Sequence, residues 1–345
     1  MAVSETTTVH NTPQVFSVSD RAKLLSTLSD SGAPVLIHLN ADTTWLLSLP
    51  YPPLAERPAG RTRFNILLDP WLQGPQSDVA SWFSTQWHLV APSVQTIAEL
   101  NTLLAESEQA GHSDATYIDV VAISHEFTDH CHEATLRELP RTTPVFATEK
   151  AAELIKSWRH FDRVVTTPGF SSSTSDWQKA LSLAPLPSWV GIGRVVTAGN
   201  ALYYHSAVII AFKSPVENEL EGDLAPRAVL YSPHGIKGSD LDAVKKSGIE
   251  TLALLHGLHD VRIWMTKQLN LGALNGLEAV RASGAKYWIA THDEVKKGGG
   301  FIAPLLRRTK YTVNDAVRKE TKSMGEQAPD YEFVELGSGD SLVLT

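Results

Sequence analysis

The sequence predicts an α/β protein in which two β-sheets pack together with helices outside. Three observations predict it. Short β-branched runs alternate with amphipathic helical segments, such runs recur in both halves of the chain, and polar turns, several carrying histidine, follow the strands.

The elements follow in order. A helix is expected over 19–30, then strands at 34–39, 43–47 and 64–68, the last ending in Asp69-Pro70. Ile97, Leu100, Leu103 and Leu104 share one face of a helix over 94–110. The run 117–123 reads as a buried strand, and a helix over 133–139 stops at Pro140, with Asp129 positioned to cap it. Strand 144–147, helix 149–158, strand 162–166, a Ser-rich turn at 171–175 and helix 175–182 come next. Strands 193–197, 206–213 and 227–231 follow, the last two joined by an acidic hairpin tip with Glu217, Glu219, Glu221 and Asp223. Helix 239–247, strand 250–255, a long helix near 266–283 and strand 286–290 complete the pattern.

With 345 residues and 43% hydrophobic content the chain can fill a sizeable core, and no linker forces a division. Residues 1–18, rich in Thr and Ser, are expected to be a flexible segment before a single domain over 19–345. That opening has neither a basic start nor an apolar signal core, and no apolar run approaches the roughly 20 residues of a membrane span. Cys131 is the only cysteine, so no intramolecular disulfide can form. The expectation is a cytoplasmic protein.

Lys and Arg total 30 against 38 Asp and Glu, a formal net charge of -8, which excludes a general nucleic-acid binder. The basic cluster Lys296, Lys297, Arg307, Arg308 and Lys310 either meets an anionic substrate or, in the ordinary reading, is a solvated face. Dinucleotide, P-loop and serine-hydrolase motifs are lacking: Gly191-x-Gly193 has no third glycine, Gly298-Gly299-Gly300 no following Lys-Ser/Thr, and no Gly-x-Ser-x-Gly occurs.

The stretch Ser124-His125-Glu126-Phe127-Thr128-Asp129-His130-Cys131-His132 sets three imidazoles, two carboxylates and a thiol at a strand end. Neutral imidazoles with a carboxylate make up many sites for zinc and other first-row metals. His234, His256, His259 and His292 also fall just past expected strands, from a total of thirteen histidines.

These residues resemble the metallo-β-lactamase-fold superfamily over roughly 33–305. The resemblance rests on His125-x-x-x-Asp129-His130, Tyr231-Ser232-Pro233-His234-Gly235, Ala290-Thr291-His292-Asp293 and the strand end Leu67-Leu68-Asp69-Pro70. The family signature is His-x-His-x-Asp-His, and Phe127 stands where its second histidine would be. The family's first metal position normally uses both leading histidines and its second uses the Asp-His pair, so Phe127 weakens only the first. His234 stands where a bridging aspartate is expected, and His292 matches the final histidine.

The resemblance implies an αββα sandwich of two mixed sheets and a divalent metal, zinc in the first instance, one ion rather than two. His125, Asp129, His130, His234 and His292 are the implied ligands, with Asp129 and His130 the catalytic pair. His132, His205, His256 and His259 are placed at the substrate pocket, and Trp45, Trp71 and Trp264 line it or fill the core. The implied activity is hydrolysis of a small ester, lactone, thioester or amide by a metal-activated water. The altered motif also allows a member of the fold that no longer hydrolyses, an isomerase, lyase, decarboxylase or ligand-binding protein, even without metal. The partner expected is a small molecule, with neither nucleic acid nor membrane.

Overall fold

The computed structural model describes residues 13, 15–17, 19–77, 82–109, 116–171, 173–196, 204–215, 224–263, 267–301, 303–324 and 330–345. Its strands Arg63–Leu68 and Val120–Ile123 are buried along their whole length, as parallel neighbours covered on both faces must be. They lie inside an eight-stranded sheet ordered Val15–Ser17, Asp340–Val343, Val35–His38, Trp45–Pro50, Arg63–Leu68, Val120–Ile123, Val145–Ala147, Val164–Thr166. The last four of these run parallel.

A seven-stranded sheet is ordered Glu332–Val334, Tyr287–Ile289, Glu250–His256, Leu224–Ser232, Ser206–Pro215, Val190–Val196, Gly169–Phe170, the first four parallel. Alternate residues of the two sheets meet in one apolar layer: Trp45, Ile66, Leu68 and Phe146 from the first against Ile210, Phe212, Val229 and Tyr231 from the second. Helices Arg21–Asp30, Ile97–Ser107 and Glu149–Ser157 cover the outer face of the first sheet through Leu24, Leu28, Leu100, Leu103 and Ile155. Trp177–Leu181, Gly238–Lys246 and Ala273–Ser283 cover the second through Leu181, Leu241, Val244 and Leu277. The layers are αββα, as expected.

Local chemistry explains where the elements depart from expectation. Asp20 and Thr96 cap their helices by accepting from the amides of Lys23 and Glu99, so these helices start later than the apolar pattern suggests. The cap before Glu133–Leu136 is His132, whose Nδ1 accepts from the Thr135 amide; Asp129 lies a turn earlier and points elsewhere. The long helix expected near 266–283 is helical only over Ala273–Ser283. Lys267–Asn270 instead forms a strand antiparallel to Asp260–Ile263, because at Gly272 the chain packs against the Leu258 carbonyl oxygen, where a Cβ would sit 2.6 Å away.

Strands Thr85–Trp87, Lys297–Gly299 and Leu306–Thr309 and helix Val313–Met324 had no clear sequence signal. Within the segment expected to be flexible, Val15–Ser17 pairs with Asp340–Leu342. The acidic turn 217–223 and Trp264 lie outside the described residues. Among those described, no helix is long and apolar enough to cross a membrane.

His38 links the two sheets. Its ring stacks on Trp45, centroids 3.7 Å apart, and Nδ1 donates to the Leu336 carbonyl at 2.7 Å. Burial depresses its pKa to about 4 against backbone hydrogen bonds that favour the cation. The unfolded chain protonates this imidazole near pH 6.5 and the folded protein does not, so stability is full above pH 6.5 and falls as pH drops towards 4. The loss is about 3 kcal/mol at most. Urea unfolding of wild type and His38→Gln across pH 4–7 should show the variant losing about one proton's worth of slope in that window; equal slopes would remove His38 from the account.

Candidate metal centre

Both sheets direct polar residues to one shared edge. His130 follows Val120–Ile123, Asp69 follows Arg63–Leu68, His234 follows Leu224–Ser232 and His292 follows Tyr287–Ile289, all at the carboxyl ends of parallel strands. The turn before Trp45–Pro50 adds Asp42 at the same edge. That turn is buried except at Ala41 and is fastened to its surroundings: Thr43 Oγ1 donates to the Asp129 carbonyl at 2.6 Å, Thr44 Oγ1 to the Asp69 carbonyl at 3.0 Å, and the His292 amide to the Asp42 carbonyl at 2.9 Å.

Three imidazoles face one another with ring centroids 4.9–5.1 Å apart: His130, His234 and His292. Each has its Nδ1 tied outward. His130 Nδ1 donates to Asp69 Oδ2 at 2.7 Å, His234 Nδ1 to Asn270 Oδ1 at 2.9 Å and His292 Nδ1 to Asp42 Oδ1 at 3.0 Å. A proton on Nδ1 leaves a lone pair on Nε2, and the outer partner fixes both tautomer and ring direction. The three Nε2 atoms therefore turn inward. Asp129 joins them, Oδ1 3.7 Å from His130 Nε2 and Oδ2 3.8 Å from His292 Nε2.

His130 Nε2 and His234 Nε2 lie 3.0 Å apart. With both Nδ1 atoms protonated, two lone pairs face each other, a repulsive arrangement unless a cation or a proton sits between them. The donors fall into two overlapping sets, His125 with His130 and His234, and Asp129 with His130 and His292, each close enough to hold a first-row divalent ion and sharing His130. Burial and the neighbouring imidazoles hold His234 well below its ordinary pKa, and burial lowers His292, so both offer neutral nitrogens. His130 goes the other way: burial opposes its charge, but Asp129 and Asp69 outweigh burial and raise its pKa.

His125 is adjacent, its centroid 4.5 Å from that of His234, and its donor atoms group with those of His130 and His234. Both its ring nitrogens are engaged, Nδ1 with Ser124 Oγ and Nε2 with the Tyr204 carbonyl, each at 2.9 Å. Phe127 stacks beside it, centroids 6.0 Å apart, where the family motif has an imidazole.

The other histidines have separate duties. His132 caps its helix, and His205 Nδ1 donates to the His234 carbonyl at 3.0 Å. His256 is buried between the Gly257 carbonyl and Asn275, and His259 contacts Arg308. Trp45 and Trp71 are fully buried in the core rather than lining a pocket.

Lys296 departs furthest from the ordinary reading of its sequence. Grouped there with a solvated basic face, it has a side chain only 6% exposed, its Nζ donating to Asp129 Oδ2 at 2.7 Å and lying 2.6 Å from Asp42 Oδ2. Burial alone would neutralise it, but the two carboxylates raise its pKa, and it in turn holds both of them ionised. Asp42, Asp69, Asn270 and Lys296 were not identified from sequence as site residues. Asp69 carried a signal in its place at a strand end, and Lys296 one in the basic cluster read as either a solvated face or a contact for an anionic substrate.

A cavity of about 280 Å³ opens onto Asp129, His234, His292 and Lys296, with Phe83, Phe127 and Tyr204 among its walls. Asp129 and Asp69 raise the His130 pKa, so a metal entering the centre competes with a proton on this imidazole. Calorimetric zinc titrations should therefore show affinity falling about tenfold per pH unit below the His130 pKa, with one proton released per ion. Binding that is independent of pH from 5 to 8 would contradict the paired-imidazole geometry.

No family model and no curated protein matches the sequence. Among solved structures, a possible metal-dependent hydrolase from Veillonella parvula DSM 2008 aligns at TM-score 0.53 and 14% identity, covering 90% of this chain and 100% of that one. The isothiocyanate hydrolase from Delia radicum gut bacteria aligns at TM-score 0.53 and 15% identity, covering 90% and 99%. The metallo-beta-lactamase fold protein YhfI from Bacillus subtilis aligns more loosely, at TM-score 0.45 and 13% identity over 89% and 98%, and adds no weight. At such identities the likeness concerns the fold and not the activity. Two mixed sheets between helices, aligned over nine-tenths of the chain with those structures, establish that this protein has the metallo-β-lactamase fold.

Proposed function

We propose that the protein is a metal-dependent hydrolase of a small ester, lactone, thioester or amide, working with one divalent ion, zinc in the first instance. The observation that carries this reading is the 3.0 Å approach of His130 Nε2 to His234 Nε2 at the edge of a cavity. A divalent ion held there supplies Lewis acidity for a carbonyl and lowers the pKa of water towards roughly 7.

Charge supports a single ion. Asp42, Asp69 and Asp129 bring three negative charges into the buried centre and Lys296 brings one positive, leaving two to be balanced. One divalent ion balances them, and a second would leave an excess of positive charge in a poorly solvated site.

The remaining roles belong to the chain. Lys296 keeps Asp129 ionised, so this carboxylate accepts hydrogen bonds and orients a water rather than holding a proton. Asp69 and Asp42 keep His130 and His292 in the tautomer that offers Nε2. Phe83, Phe127 and Tyr204 give the substrate an apolar wall and reduce water access.

One feature favours a second reading, a fold member that isomerises, eliminates, decarboxylates or only binds. Phe127 fills with an apolar ring the place of a ligand in the family motif, and His125 is bonded to the Tyr204 carbonyl.

Elemental analysis of tag-free protein should give about one ion per chain. His130→Ala and His234→Ala should each lose it while keeping the fold by circular dichroism, and stoichiometric metal in both would sink the assignment. Asp69→Asn should weaken zinc binding about 10- to 100-fold, as loss of an outer hydrogen-bond partner does. Turnover of a panel of activated esters, lactones and thioesters should disappear with chelator and return with metal. A loaded protein inert on the whole panel would favour the second reading.

A further inference from the structure

One wall of the cavity is a separate three-stranded sheet, ordered Lys267–Asn270, Asp260–Ile263, Leu306–Thr309. Strand alternation presents Val261, Ile263, Lys267, Leu269, Leu306 and Arg308 to the cavity. Four are aliphatic and two are cationic. On the outer two strands, Lys267 pairs with Ile263 and Arg308 with Val261, so the cations stand at opposite corners of the wall.

Arg308 is exposed at the mouth, yet its head group is held. Nη1 donates to the carbonyls of Asp293 at 3.2 Å and Glu294 at 3.0 Å and meets His259 Nδ1 at 3.1 Å. Among the described residues, Nε and Nη2 make no hydrogen bond and no carboxylate lies within 4.0 Å of the guanidinium. The nearby Asp293 carboxylate is occupied by the amides of Leu258 and His259. The side of the guanidinium formed by Nε and Nη2 is thus a fixed pair of parallel donors, the shape that binds a carboxylate through two hydrogen bonds.

Lys267 is half-buried, its Nζ donating to the Tyr204 hydroxyl at 3.0 Å, and it too has no carboxylate within 4.0 Å among the described residues. In a chain of net charge -8, two cations on one cavity wall with no carboxylate within 4.0 Å among the described residues are a local feature rather than general basicity.

We propose that the cavity takes a small molecule with an apolar body and a carboxylate head, the head bound by Arg308 with Lys267 adding to the attraction. The body lies along the aliphatic face of the small sheet and Phe127. The end to be cleaved points at Asp129, His234 and His292. Its last part rests on the hydrolase reading, but the binding of the carboxylate does not.

Two arms separate the failures. In the first, zinc-loaded full-length protein is given 4-nitrophenyl butyrate and its anionic counterpart, mono-4-nitrophenyl glutarate. Wild type should prefer the anionic ester in kcat/KM, through KM, and Arg308→Met should cut the anionic-to-neutral ratio about tenfold or more. Arg308→Lys, which keeps the charge but not the paired donors, should restore part of the preference. Equal kcat/KM for the two esters in wild type overturns the proposal and leaves the hydrolase reading intact.

In the second arm, metal-depleted protein is titrated calorimetrically with 4-phenylbutyrate and with 4-phenylbutanol, so that the carboxylate has no metal to bind. The acid should bind more tightly than the alcohol, and Arg308→Met and Lys267→Met should each shrink the difference, with folding checked by thermal unfolding. If neither ester is turned over, hydrolysis fails and this arm alone decides: a preference for the acid that the variants reduce sustains the carboxylate site. Equal binding of acid and alcohol, or a preference untouched by both variants, overturns it.

Discussion

The site is organised around one buried ammonium. Lys296 sits between Asp42 and Asp129 and is the strongest of the charges that keep both carboxylates ionised against their burial. Removing one partner from such a cluster leaves an uncompensated buried charge, which costs about 3–5 kcal/mol. The same contacts position the centre. Asp42 orients His292 through Nδ1, and Asp129 stands beside the Nε2 atoms of His130 and His292. Lys296 reaches them from the stretch that links the second sheet to the small strand Lys297–Gly299, so the ion cluster also ties that stretch to the turn of the first sheet.

The turn around Asn40–Thr44 serves this arrangement from below. It is short and buried except at Ala41, and it satisfies its own polar groups: Asn40 Oδ1 accepts the amides of Asp42 and Thr44, each at 2.9 Å. With its internal bonds closed, the turn can spend Thr43, Thr44 and the Asp42 backbone on holding Asp129, Asp69 and His292. Two sheets that meet through apolar packing and a few hydrogen bonds, such as His38 to the Leu336 carbonyl and Trp45 Nε1 to Thr291 Oγ1, are thereby registered to each other at the edge where chemistry is placed. Apolar packing alone is not directional, and hydrogen bonds to fixed carbonyls supply the positions.

The pattern of legibility follows from the range of each interaction. Strands such as 64–68 and 117–123 could be read because side-chain alternation and β-branched runs are local consequences of burial. His234 and His292 could be singled out because each falls within three residues of such a strand, and His130 because it lies in the dense cluster that begins where Val120–Ile123 ends. The helix expected near 266–283 was overextended because Lys267–Asn270 owes its strand conformation to pairing with Asp260–Ile263 and to the close approach at Gly272. Propensity over a short window carries neither fact.

By itself, the sequence pointed to two sheets between helices and to the strand ends that bear histidine, since these depend on residue type and local spacing; that Phe127 stands where an imidazole is expected came from the resemblance to the family motif. Tertiary structure decided which groups support them. Asp69 lies 61 residues from His130, Asn270 lies 36 from His234 and Asp42 lies 250 from His292, yet each sets the tautomer of its partner. Lys296 illustrates the division most sharply. Its neighbours in sequence mark it as a surface cation, and only folding brings Asp42 and Asp129, from 254 and 167 positions away, within 2.7 Å of its ammonium. Coulomb attraction between buried charges acts over ångströms in space and leaves no trace in the local pattern of the chain.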